Sequence, residues 1–404
     1  MNVHIMAGRA SGTVSAPPSK SMAHRLLISA GLSEGESVIH GIEESQDVLA
    51  TLSCLRALGA ECRVENGTAF VRGFDAKRAT PLSHLRAGES GSTLRFFIPI
   101  ALLSGEPVLF EGAPSLLSRP MSVYETLARE KGLTFLKGAS SIAVQGPLKA
   151  GDFHVKGNIS SQFISGLLFA LPLLQGDSTV SITPPIESRS YISLTISALA
   201  EFGVSVVWQD ENTLFIKGGQ SYKASETTVE GDYSGAAFFA ALDALGNDVS
   251  VVGLKADSLQ GDKASERCIP LLSRGTPTVH IGDCPDLGPV LFALAAAKNG
   301  AIFTGTARLK IKESDRAEAM AEELRHFGTT VTVKEDSVVV YPTDFHAPSV
   351  PLCAHNDHRV VMALAILLTL TGGEITDAEA VSKSFPDFFK KLEALGISIT
   401  KTKD

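Results

Sequence analysis

The sequence predicts an α/β (α+β) fold of two domains, each a pseudo-threefold assembly of three βαβαββ units. Three observations lead there. An almost wholly apolar helical segment recurs six times along the chain. Each copy is followed by a second, amphipathic helix that ends in glycine. Short strands of alternating polarity lie between them. At roughly 150 residues per domain, a chain of 404 residues has room for two or three such bodies.

The apolar segments run over residues 19–31, 90–105, 160–176, 232–246, 286–300 and 357–372. Each opens on a small polar or acidic residue and closes on glycine, the pattern of an N-cap and a C′ residue. A helix that is apolar on every side belongs inside a core. The second helices close at Gly59, Gly132, Gly203, Gly275, Gly328 and Gly396. These glycines recur about every 70 residues, apart from a shorter interval between Gly275 and Gly328, and regular recurrence marks a repeat architecture. Residues 45–58 and 313–327 show the amphipathic pattern of an outer helix. Residues 37–40 and 205–208 read as strands.

Three repeats closing around three buried helices make one domain, so six make two. The halfway point falls near Glu230. The first domain is expected to comprise residues 1–18 with 230–404, and the second residues 19–229. The symmetry is expected to aim the six inner-helix N-termini into the space between them.

Composition supplies exclusions. Lys and Arg total 36 and Asp and Glu 44, a net charge of −8, which argues against nucleic acid as a partner. Five scattered cysteines without a C-x-x-C pair fit a reducing compartment. The first residues carry no basic start or apolar signal region, and the apolar run at 360–370 is too short to span a bilayer. A soluble, cytoplasmic protein without membrane contact is expected.

The helix starts carry cations. Lys20 and Arg25 lie in the first copy, Arg95 follows Gly91, and Arg359 opens the sixth. Arg119, Lys312, Arg316 and Lys383 precede or open second helices. A helix N-terminus already offers unpaired N–H groups and a positive dipole end. Cations at equivalent repeat positions add up to an anion pocket for small ligands bearing phosphate and carboxylate groups.

At these residues the chain resembles the 5-enolpyruvylshikimate-3-phosphate synthases, enolpyruvyl transferases of the shikimate pathway. The matching stretches are Pro18-Ser19-Lys20-Ser21 with Arg25, Ser90-Gly91-Ser92-Thr93-Leu94-Arg95, Ser118-Arg119-Pro120-Met121 and Ser160-Ser161-Gln162-Phe163. Pro285-Asp286, Lys312-Glu313-Ser314-Asp315-Arg316, Asn356-Asp357-His358-Arg359 and Lys383-Ser384-Phe385-Pro386-Asp387 continue the series in order.

The resemblance implies an active site in the interdomain cleft, closure of the domains over the substrates, and no cofactor or metal. It implies transfer of the enolpyruvyl group of phosphoenolpyruvate to the 5-hydroxyl of shikimate 3-phosphate, with phosphate released by addition and elimination through a tetrahedral intermediate. On matching positions, Lys20, Gly91, Arg119, Gln162, Arg316, Arg359 and Lys383 would hold phosphoenolpyruvate. Ser21 and Arg25 would hold the shikimate carboxylate. Ser160, Ser161, Ser188 and Lys312 would hold its phosphate, with Gln162 and Asp286 also facing this substrate and Tyr191 on its ring. Asp286 and Glu313 would move protons, with Lys20 assisting. The enzyme is expected to act as a monomer.

Plainer roles compete for some of these residues. Asp286 could be a plain N-cap, Glu313 a first-turn carboxylate, and Ser160 and Ser161 caps only. His355 and His358 form an H-x-x-H pair without a visible third metal ligand. Glu89 and Arg308 depart from the family pattern, where Asn is common, and Glu89 is expected to turn to a neighbouring cation. Two other readings share the fold: the transferase acting on UDP-N-acetylglucosamine, and a non-catalytic binder of anionic ligands. The first is disfavoured because no cysteine lies between Cys62 and Cys268, the second because Lys20, Asp286 and Glu313 are all present.

Overall fold

The computed structural model describes residues 1–78 and 83–402. The chain divides into two compact units. A terminal unit comprises Met1–Ser19 and Gly231–Asp404, and a central unit comprises Lys20–Glu230.

The central unit is built on the inner helices Lys20–Gly31, Gly91–Ala101 and Ser161–Ala170. Leu26, Leu27, Ile28, Phe96, Phe97, Phe163 and Phe169 are fully or almost fully buried there. Three four-stranded sheets wrap the helices, all with the same pattern. In the third, strand Asp152–Lys156 runs parallel to Ser178–Thr183, which pairs antiparallel with Thr213–Ile216, and this in turn with Val206–Trp208. A parallel pair needs a crossover, which the inner helix supplies, whereas the antiparallel partners follow as a hairpin. Alternating apolar residues, such as Phe153 with Val155 and Val180 with Ile182, put one face of a strand on the core.

The terminal unit repeats the scheme around Tyr233–Ala244, Gly288–Ala296 and His358–Thr371. Two of its sheets have the same four-stranded order. One is completed by the N-terminal strand Asn2–Ile5, which lies between Gly373–Thr376 and Ile399–Thr402. The third sheet is only a parallel pair, Ser11–Ser15 with Asp248–Val252. The fourth repeat therefore lacks its hairpin. Its outer helix Ser265–Leu272 leads directly to Thr278–His280, the first strand of the next sheet. That missing hairpin accounts for the short Gly275–Gly328 interval.

Some local expectations need correction. Gly31 is the last residue of its helix, not a left-handed cap; a Cβ there would collide with Leu55 of the outer helix Gln46–Ala57, so glycine serves close packing. Gly132 does cap in the left-handed region, at φ 67°. The outer helix expected from residue 313 begins at Arg316, because Asp315 caps it by accepting from Glu318 N. Ser90, Ser160, Asp232 and Asp357 are N-caps as their residue types suggest.

Two inner helices of the central unit approach closely at Gly166, where a Cβ would strike the Arg95 carbonyl and the Tyr124 hydroxyl. That hydroxyl donates to Arg95 O at 2.7 Å, so neither atom can retreat freely. Gly166→Ala is expected to lower stability by about 1–3 kcal/mol through overpacking, read from the urea midpoint. A midpoint at or above the parent value would contradict this helix contact.

Candidate active site

In the terminal unit, four elements bring charged groups together. Asp286 lies on the short 3₁₀ turn Pro285–Leu287, and Lys312 follows a second such turn, Ala307–Ile311. Arg316 opens the helix Arg316–Arg325, and Arg359 lies in the first turn of His358–Thr371. Arg316 is almost fully enclosed. Its Nη1 donates to Asp286 Oδ1 at 2.7 Å, its Nη2 to Glu313 Oε2 at 2.6 Å, and its Nε to Asp357 Oδ2 at 2.8 Å. Lys312 Nζ donates to Asp286 Oδ1 at 3.2 Å, and Arg359 Nη2 to Asp286 Oδ2 at 3.1 Å.

Asp286 is thus not a helix cap, since its carboxylate is engaged by three cations. Glu313 stands outside the helix and binds Arg316, so the first-turn reading fails as well. Burial alone would push the Asp286 carboxyl up. Arg359, Lys312 and Arg316 overcome this and hold it well below the usual carboxylate range. Burial pulls Lys312 down, against the opposing pull of Asp286 and with help from Arg308. Arg308, the departure from the family pattern, is buried and adds positive charge beside Lys312. Lys383 is buried and donates to Asn356 O at 2.6 Å and Oδ1 at 2.7 Å.

Asp262 is a buried carboxylate that no sequence motif singled out. Ser234 donates to it at 3.0 Å. Burial first, and then repulsion from Asp286, raise it to about 6, against the attraction of Arg359. His355 does not pair with His358 for a metal. Its Nε2 is bonded to Glu323 Oε1 at 2.7 Å. Glu322, Glu323 and His355 are the described residues whose donor atoms cluster in the manner of a metal site, but Glu323 is already satisfied by His355 and by Cys353 N.

The central unit carries the remaining candidates. Lys20 Nζ binds Asp47 at 2.7 Å, across from the outer helix. Arg25 donates from Nε to Thr195 Oγ1 at 2.9 Å, from Nη1 to Ser21 O at 2.6 Å and from Nη2 to Tyr191 O at 3.1 Å. Its guanidinium also lies 5.9 Å from the Tyr191 ring centroid, so Ser21, Arg25 and Tyr191 form one group. Burial lowers Arg25 to about 10, still cationic at neutral pH.

A second group surrounds Gly91. A Cβ there would lie 3.1 Å from Arg119 Nη1 and 3.5 Å from both Arg95 Nη1 and Gln162 Oε1. Glycine thus leaves a cradle walled by Arg119, Arg95 and Gln162 at a helix N-terminus, the setting for an anion. Arg95 donates to Gln162 Oε1 at 2.6 Å, and Gln162 Nε2 donates to Ser92 Oγ at 2.9 Å. Ser160 and Ser161 are buried at the next helix start, with Ser160 accepting from Gln162 N at 3.3 Å. Ser188 is buried and left-handed, at φ 55°, just before Arg189–Glu201. Arg95 is among the helix-start cations that the sequence marks, without a ligand of its own; Asp47, Thr195 and Asp262 carry no sequence signal for the site.

Among the described residues, no helix is long and apolar enough to cross a membrane. Residues 6–392 match the EPSP synthase (3-phosphoshikimate 1-carboxyvinyltransferase) family. A 3-phosphoshikimate 1-carboxyvinyltransferase of Clostridium botulinum (strain Alaska E43 / Type E3) is 39% identical over 421 residues, covering 97% of this chain and 96% of the relative. The EPSP synthase structure from Acinetobacter baumannii superposes with a TM-score of 0.80 at 24% identity, over 99% of this chain and all of that one. The enolpyruvyl transferase NikO from Streptomyces tendae gives 0.79 at 16% identity, over 99% and 98%. These two structural likenesses speak for the fold.

Removing the guanidinium would leave three carboxylates without their shared counter-charge. Arg316→Met is expected to cost about 3–5 kcal/mol at neutral pH. Unpaired buried carboxyls take up protons readily, so the deficit should shrink as pH falls toward the ordinary carboxylate range. Denaturant titrations at several pH values measure this, and a deficit that grows on acidification contradicts it.

Proposed function

Because the chain belongs to the EPSP synthase family, we propose that it transfers the enolpyruvyl group of phosphoenolpyruvate to the 5-hydroxyl of shikimate 3-phosphate and releases phosphate. The observation that carries the reading is a carboxylate held by three cations: Asp286 under Lys312, Arg316 and Arg359.

Without substrate, these cations neutralise Asp286 and keep it a poor base. Phosphoenolpyruvate brings a carboxylate and a phosphate, and Arg316, Arg359 and Lys383 are its counter-charges in this unit. Gly91, Arg119, Gln162 and Lys20 are the further residues that would hold it. As the cations turn to the ligand, their hold on Asp286 and Glu313 weakens and both gain proton affinity. Asp286 then takes the proton of the 5-hydroxyl, whose oxygen attacks C2 of phosphoenolpyruvate. Glu313, with Lys20 assisting, gives a proton to the C3 methylene. Glu313 takes a proton back from the new methyl group as phosphate departs, which completes the reaction.

For shikimate 3-phosphate, Ser21 and Arg25 take the carboxylate, and Tyr191 packs on the ring. Ser160, Ser161, Ser188 and Lys312 take the phosphate, with Gln162 and Asp286 toward the hydroxyls. Prepaid positioning of two anions against fixed cations can lower the barrier by up to ~7–11 kcal/mol. The reading includes a monomer acting in the cytoplasm without nucleic acid, membrane or cofactor.

Phosphate release from phosphoenolpyruvate and shikimate 3-phosphate tests the assignment. Release only when UDP-N-acetylglucosamine replaces the second substrate would overturn it. Asp286→Asn is expected to lower kcat by ~10²-fold or more while leaving shikimate 3-phosphate binding within about tenfold. The released Asp286 also implies an order in pH profiles: the acid limb of kcat/KM, set by the free enzyme, should lie at lower pH than that of kcat. The reverse order would contradict the release of Asp286 by its ligand.

A further inference from the structure

Glu323 is a buried carboxylate that the chemistry above does not use. It lies two turns beyond Arg316 on the helix Arg316–Arg325, on the same side. Its Oε2 accepts from Cys353 N at 3.0 Å and its Oε1 pairs with His355 Nε2 at 2.7 Å. His355 N in turn reaches Cys353 Sγ at 3.3 Å. His355 and Asn356 are both left-handed, at φ 50° and 51°. Residues other than glycine hold that conformation only where their surroundings over-determine it.

The turn so held carries two groups toward the site. Asn356 accepts from Lys383 through both O and Oδ1, and Asp357 binds Arg316 and caps the helix that bears Arg359. One helix thus grips residues 353–357 at both ends, through Glu323 at one and Arg316 at the other. We propose that the His355–Glu323 pair is a positioning device for phosphoenolpyruvate, holding this turn so that Lys383 and Arg359 are set for its anionic groups. The inference rests on the assignment of those two cations to phosphoenolpyruvate.

The charged groups facing His355 are Glu322 and Glu323 from the outer helix and Asp357 from the start of the inner one, with the Cys353 thiol beside it. The hydrogen bond to Glu323 raises the imidazole above its ordinary value, against burial. The protonated pair is therefore complete at low pH. It decays to a neutral hydrogen bond as pH rises through the raised value.

Steady-state kinetics of the full chain with both substrates, from about pH 6 to about pH 9, test this on the parent, H355L, H355Q and K383M. H355L is expected to raise KM for phosphoenolpyruvate about tenfold, with kcat and KM for shikimate 3-phosphate within about threefold. H355Q keeps a neutral donor to Glu323. It should give a KM between those of the parent and H355L at low pH and flatten its alkaline rise relative to the parent, the ligand's own ionisation being common to both. An H355L enzyme with unchanged KM for phosphoenolpyruvate, while K383M raises it, would overturn the positioning role and leave the substrate assignment standing. Unchanged KM in K383M would instead overturn the assignment underneath. Equal rises for both substrates in H355L, with a lowered melting temperature, would make the pair merely structural and overturn the proposal.

Discussion

Arg316 is a buried guanidinium shared by three carboxylates, and the terminal unit's chemistry is arranged around it. Each fork of the side chain meets a different acid: Asp286, Glu313 and Asp357. At an effective dielectric constant near 20, one such contact at 2.7 Å is worth about 6 kcal/mol of Coulomb energy. Taking the ions out of water costs several kcal/mol each, so the net gain in stability is small. What the network supplies is charge fixed in place around an enclosed guanidinium. An incoming anion exchanges one set of counter-ions for another and need not assemble them.

The same arrangement makes the inner helices more than core fillers. His358–Thr371 is buried along nearly its whole length, which fixes Arg359 at its first turn to the rigid middle of the unit. Gly91 opens another such helix, and its missing side chain gives Arg119, Arg95 and Gln162 a common space. Hydrophobic burial thereby sets the position of polar groups it never touches. The outer helices add the counterparts: Asp47 from Gln46–Ala57 to Lys20, and Glu323 from Arg316–Arg325 to His355.

How far this was readable beforehand depended on the range of each signal. Caps, closing glycines and apolar runs are local, and the repeat they make survived even its irregular fourth copy, where the structure lacks a hairpin. The cations were legible because they sit beside helix starts at equivalent positions. Their partners were not. Asp47 meets Lys20 from 27 residues away, and Asp357 meets Arg316 from 41. No periodicity links such pairs; an outer helix packed on its own repeat's inner helix makes the first, and one packed on the next repeat's turn makes the second. Asp286 shows the consequence most plainly. By local spacing it is indistinguishable from an N-cap; the motif resemblance points elsewhere, and the convergence of Lys312, Arg316 and Arg359 rules the cap out.

Asp262 extends the argument to tuning. It and Asp286 both feel Arg359, yet their carboxyls move in opposite directions. Asp286 has three cations in direct contact and is held far down. Asp262 has a serine donor, burial, and the repulsion of Asp286 and Asp232, and rises to about 6. Two carboxyls whose surroundings drive them apart can hold different protonation states at one pH. The negative net charge of the chain is no guide to such a site. What governs it is the local count of cations against carboxylates and the depth at which each is buried.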